Sequence, residues 1–76
     1  MLKKARKKQK ITQKELAEMT KISQSYISKL EMNKFVHSPT IAYIIDLAQG
    51  LHMNVYDLAK YFIDKELEYR KDVNHE

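Results

Sequence analysis

The stretch Thr12-Gln13-Lys14-Glu15-Leu16-Ala17-Glu18-Met19-Thr20-Lys21-Ile22-Ser23-Gln24-Ser25-Tyr26-Ile27-Ser28-Lys29-Leu30-Glu31 contains two helix starts in close succession. Thr12 followed three residues on by Glu15 is a capping box, in which the hydroxyl accepts the third amide and the carboxylate reaches back to the first. Ile11 and Leu16 bracket it at the spacing of a hydrophobic staple, so a helix is expected from Gln13. Ser23, bracketed by Ile22 and Ile27, repeats this grammar and opens a second helix. Only Thr20, Lys21 and Ile22 precede that cap, and so short a connection holds two helices steeply to one another.

Outward from this pair, the same signals continue. Asn54 with Asp57 three residues on, flanked by Met53 and Leu58, marks another start. Around Ser38, Pro39 and Thr40 either hydroxyl can cap a helix whose expected core stripe is Ile41, Ile44, Ile45, Ala48 and Leu51. Gly50 lowers the stability of that helix by roughly 1 kcal/mol relative to Ala. A first helix from Leu2 to about Gln9 turns Leu2 and Ala5 inward and carries Lys3, Lys4, Lys7 and Lys8 on the rest of its surface. The last helix, from Val55, is expected to bury Val55, Leu58, Ala59 and Phe62. Tyr56, Ile63 and Leu67 form a second apolar stripe on it. With one Gly, one Pro and apolar residues at three- and four-residue spacing, the fold class is all-α: a compact five-helix domain over residues 1–70, then a charged tail, 71–76, expected to fray.

Composition narrows the chemistry. A chain of 76 residues has room for one core. It has no Cys, and His37, His52 and His75 are too scattered to form a metal-ligand set. No apolar run approaches the roughly 20 residues needed to span a bilayer, so a soluble, intracellular protein with no membrane partner is expected. No nucleophile stands with a paired base and no Gly-rich phosphate loop is present, which argues against an enzyme and against a cofactor or small-molecule ligand. Charge is uneven. Residues 1–34 hold ten Lys/Arg against three acids, and residues 35–76 hold four against seven. A basic half joined to an acidic support suits a polyanion binder, although a solvated lysine face reads the same way on charge alone.

The stretch Thr12 to Glu18 followed by Ile22 to Glu31 resembles the lambda repressor and Cro family of helix-turn-helix domains, and the likeness extends over residues 1 to 62, through Pro39, Ala48 and Leu51. The resemblance implies a five-helix domain whose helices 2 and 3 are the helix-turn-helix and whose helix 5 is extended. It also implies a cytoplasmic protein of bacterial, phage or mobile-element origin. Its partner would be a double-stranded DNA operator, read in the major groove by helix 3. By position, Gln24 matches the glutamine that pairs with adenine, and Ser25, Ser28 and Lys29 match further base-reading positions. Thr12, Gln13, Tyr26 and Lys34 match phosphate-contacting positions, with Gln13 also placed to buttress Gln24. Arg6 and Glu31 match a structural ion pair, with direct phosphate contact as the second reading of Arg6.

The sequence departs from the family pattern at four points. Met32 stands where relatives carry a phosphate-binding asparagine, Asn33 and Lys21 replace turn glycines, and Thr20 replaces an apolar core residue. Three serines beside Gln24 are mediocre helix formers, which favours recognition over a merely polar surface. The exposed stripe Tyr56, Ile63 and Leu67 is a candidate homodimer interface; its alternative is a widened intramolecular core. The function expected is a transcriptional repressor acting as a dimer. The rival is a protein-interaction module or accessory factor, such as an antitoxin or a recombination accessory, built on the same fold.

Overall fold

The Thr12 hydroxyl accepts the Glu15 amide at 3.0 Å, and the Glu15 carboxylate accepts the Thr12 amide at 2.9 Å. This reciprocal box opens α2 (Gln13–Thr20) in the computed structural model, which describes residues 1–32 and 37–74. Ser23 takes the Tyr26 amide at 3.2 Å and opens α3 (Gln24–Glu31). Thr40 takes the Tyr43 amide at 3.1 Å and opens α4 (Ile41–Gly50). The Asn54 side-chain oxygen accepts the Tyr56 and Asp57 amides at 2.8 and 3.1 Å, at the head of α5 (Val55–Asn74). Only α1 (Leu2–Lys8) lacks a side-chain cap; Arg6, Lys7 and Lys8 in its last turn favour its negative end.

Of the two hydroxyls around Pro39, Thr40 is therefore the cap, and Ser38 instead donates to Glu66 of α5. Lys10, Lys21 and His52, just past the ends of α1, α2 and α4, reverse the chain in the left-handed region at φ 60, 62 and 52°. None is glycine, so each carries a strain of roughly 1 kcal/mol that the surrounding packing must overcome. Asn33 lies outside the described residues.

The core draws on every helix: Leu2, Leu16, Ile27 and Leu30 meet Ile44, Leu47, Ala48, Leu58 and Phe62, with Ile22 and Leu51 added from the connections. Fully burying one large side chain of this set contributes about 1.5–3 kcal/mol. α4 packs on α5 and on α2, α2 packs on α3, and α1 packs on α3. Thr20 is buried, yet its hydroxyl donates to the Leu16 carbonyl at 2.7 Å and accepts the Ile22 amide at 3.3 Å, so a polar side chain is tolerated in the turn.

The α4 stripe differs from the expected one. Leu47 is fully buried, whereas Ile41 is 77% exposed and Ile45 36% exposed. The helix is rotated so that Ile44, Leu47, Ala48 and Leu51 face inward, which leaves Ile41 and Ile45 on the flank beside α5. Gly50 explains how close α4 comes to α2: a Cβ there would lie 3.0 Å from Thr20 Cγ2 and 3.2 Å from Leu16 Cδ1. On α5, Leu58 and Phe62 are buried, while Val55 and Ala59 are only half-buried. The helix continues through Asn74, past Arg70, where the sequence had suggested fraying. Two exposed i,i+4 ion pairs, Lys60 with Asp64 at 2.7 Å and Glu66 with Arg70 at 2.8 Å, support its outer turns. Residues 75 and 76 lie outside the described part.

Candidate functional site

The face of α3 that does not enter the core carries Gln24, Ser25, Ser28 and Lys29, all exposed, while Ile27 and Leu30 anchor the opposite face. The alternation follows from the helical period: residues three and four apart share a side. The left-handed Lys21 and the Ser23 cap confine the α2–α3 connection to three residues, 21–23, so the orientation of this polar face is fixed by the body of the domain.

A chain of hydrogen bonds at the far end of α3 fixes it further. Arg6 of α1 donates from Nε to Glu31 Oε2 at 2.7 Å and from a terminal nitrogen to Glu31 Oε1 at 2.9 Å, a fork-to-fork pair. Its remaining terminal nitrogen donates to the Ile11 carbonyl at 2.9 Å. Gln13 of α2 adds a donor to Glu31 Oε1 at 3.0 Å. The Arg6 and Glu31 side chains are only 10% and 3% exposed, so this chain ties α1, α2 and α3 together away from water. Burial by itself would raise the Glu31 carboxyl, but the hydrogen bonds from Arg6 and Gln13, with the charges of Arg6 and Lys3, more than offset it and hold Glu31 below its ordinary value. The bond to Glu31 likewise holds the Arg6 guanidinium protonated, its value raised despite the opposing effect of burial.

Gln13 thus donates to Glu31 and not to Gln24, because a carboxylate is the stronger acceptor. It is half-buried at the head of α2, beside the exposed Thr12, whose oxygen accepts the Glu15 amide while its own O–H remains a donor. Tyr26 is braced from the side: its ring stacks on His37 at 5.2 Å and meets Tyr43 of α4 at 5.3 Å. Its hydroxyl lies 3.5 Å from His37 Nδ1. Burial, with a smaller contribution from Tyr43, pushes the Tyr26 phenol above its ordinary value, so it stays a neutral donor. Lys34 lies outside the described residues. Met32, at the end of α3, is 54% exposed.

One residue of this surface was not singled out by the sequence. Lys3 lines a depression of about 320 Å³ together with Gln13, Ser28, Glu31 and Met32, so α1 contributes a cation to the edge of the α3 face. In the sequence Lys3 is one of several similar lysines on helix 1, and nothing local separates it from Lys4, Lys7 or Lys8. Tyr56, Ile63 and Leu67 stand on the other side of the site's chemistry altogether: they are 82%, 55% and 59% exposed along an apolar groove between α4 and α5.

The arrangement presents amide, hydroxyl and ammonium donors on the exposed face of one helix, with further donors at the head of the helix before it. Such a set can bind a polyanion and discriminate hydrogen-bond patterns on its surface. Among the described residues no group of His, Asp and Glu is placed to hold a metal ion, and no helix is long and apolar enough to cross a membrane. A family model described as helix-turn-helix matches residues 2–62. No curated protein and no solved structure matches the chain.

Proposed function

The chain belongs to the lambda repressor-type helix-turn-helix family, one of DNA-binding regulators, and on that premise we propose that it is a sequence-specific repressor that binds a double-stranded operator as a homodimer. α3 lies in the major groove, whose width of about 12 Å admits a helix. Gln24 pairs with an adenine through N6 and N7, and Ser25, Ser28 and Lys29 read neighbouring base edges. Thr12, Gln13, Tyr26 and Lys34 hold phosphates and set the register, and Lys3 joins them from α1. Arg6 acts through Glu31 as a positioning residue, since each of its three guanidinium nitrogens already donates to a partner inside the protein. No catalysis, cofactor or small-molecule ligand is part of this reading, and its place of work is the cytoplasm of a bacterium or of a phage-infected cell.

The observation that carries the reading is the outward polar face of α3, held rigid by the Arg6–Glu31–Gln13 chain. A pre-set face avoids the ordering cost that binding would otherwise meet. Selection of bound duplexes from a random pool tests it. The expected product is an approximately two-fold symmetric sequence with half-sites about 34 Å apart. Equal recovery of all sequences at moderate salt overturns the reading. It would favour instead a protein-interaction or accessory role, which the exposed α4–α5 groove would serve.

A further inference from the structure

We propose that Met32 is a further specificity-determining residue of the α3 face, one that reads the C5-methyl group of a thymine. This deepens the operator reading above and rests on it. The observation behind it is an exposed apolar side chain set among polar ones.

Met32 closes the exposed line of α3. Its amide donates to the Lys29 carbonyl at 3.2 Å, so its Cα still follows the helical path. Its own backbone is extended, at φ −70 and ψ 148°, and carries the chain away only beyond it. Residues seven apart return to nearly the same side of a helix, so Met32 stands on the line of Ser25, with Ser28 and Lys29 a turn before it. Those three are exposed and polar, whereas Met32 is apolar and 54% exposed, outside the core. It shares one depression with Ser28, a proposed base reader, and with Lys3 and Gln13, two proposed phosphate contacts. Met32 is therefore placed where base edges give way to backbone.

That border is where a thymine carries its methyl group, which projects into the major groove on the pyrimidine edge nearest its own backbone. A thioether has no donor and only a weak acceptor, so it cannot hold a phosphate or satisfy the N7 acceptor that a purine turns to the groove. It is unbranched and polarizable, and can lie against a methyl group. Cytosine offers only a hydrogen at the same position. Met32 stands about 12 Å along the helix axis from Gln24, so the thymine belongs to a different base pair from the adenine that Gln24 takes.

The experiment selects duplexes with the whole chain from two random pools, one made with thymine and one with uracil in its place. Single thymines of the duplex recovered from the first pool are then replaced by deoxyuridine, which removes the methyl alone. At one thymine of each half-site the wild-type chain should lose about four-fold in affinity per contact, the effect of exposing one methyl-sized group. Met32→Ala should bind the thymine duplex more weakly by a similar factor and should not distinguish thymine from uracil there. Met32→Gln, similar in length but polar, should also lose the distinction, and Met32→Leu should keep it. Helix content should stay unchanged in all three, and Met19→Ala, at an equally exposed site on α2, should bind as the wild type does. Wild-type indifference to the methyl at every thymine overturns the inference, as does a Met32→Ala or Met32→Gln chain that keeps the wild-type sensitivity. The two failures are distinguishable: sequence preference without a methyl effect tied to Met32 removes this inference alone, whereas equal recovery of all duplexes from both pools removes the operator reading with it.

Discussion

Glu31 accepts three hydrogen bonds from side chains of two other helices, from a position almost closed to water. Replacing it by Ala leaves the Arg6 guanidinium buried without its counter-charge, and such a loss costs about 3–5 kcal/mol. Denaturant unfolding of Glu31→Ala should show a shift of that size. The carboxyl also makes stability depend on pH. Because it is held below its ordinary value in the folded chain, it takes up a proton less readily folded than unfolded. Its contribution is therefore complete above the unfolded carboxyl value of about 4.3 and is lost as pH falls through the lower, folded value. Unfolding midpoints stepped down through the acid range should fall in the wild type and flatten in Glu31→Gln. At the other end of the same helix, Gln24→Ala is expected to cost about 1–3 kcal/mol at the preferred duplex and to relax the choice of base there. An equal loss on unrelated duplexes, measured by competition, would remove Gln24 from base reading.

Among the elements, α4 shows how packing can reverse a propensity argument. In a helix, Ala is favoured over Gly by about 1 kcal/mol. At Gly50 the added Cβ would crowd Thr20 Cγ2 and Leu16 Cδ1 at 3.0 and 3.2 Å, and both neighbours are buried. Gly50→Ala should therefore lower the melting temperature. Adding Thr20→Ser removes Cγ2 while keeping the hydroxyl bonds to Leu16 and Ile22, so the double variant should recover part of the loss. If Gly50→Ala alone proves stabilising, α2 and α4 are not locked together as closely as these distances require. The rotation of α4 has a second result: it turns Ile41 and Ile45 out of the core and makes them a wall of the α4–α5 groove.

At the scale of the whole molecule, the charges are segregated by chain half, and Lys3, Gln13 and Ser28 of three different helices border one depression. An operator complex held by phosphate contacts must then weaken as salt rises, with a slope of about 0.9 per phosphate neutralised. Lys3→Ala should flatten that slope by about one unit and weaken all duplexes alike, because Lys3 borders the α3 face beside Gln13 and Ser28. Lys71→Ala, on the outer part of α5, should leave it unchanged. A slope that ignores Lys3 would return this residue to the ordinary solvated lysines of α1.

Local grammar was enough to announce the helix starts at Thr12, Ser23 and Asn54, the tight α2–α3 turn and the polar face of α3, since caps and helical periodicity involve residues only a few positions apart. What folding in three dimensions added were choices between locally equivalent candidates: Thr40 over Ser38 as the α4 cap, Leu47 over Ile41 in the core, Glu31 over Gln24 as the partner of Gln13, and Lys3 over its neighbours at the site's edge. Each of these depends on how helices distant in the chain lie against one another, and a side chain's own neighbours in sequence carry no record of that.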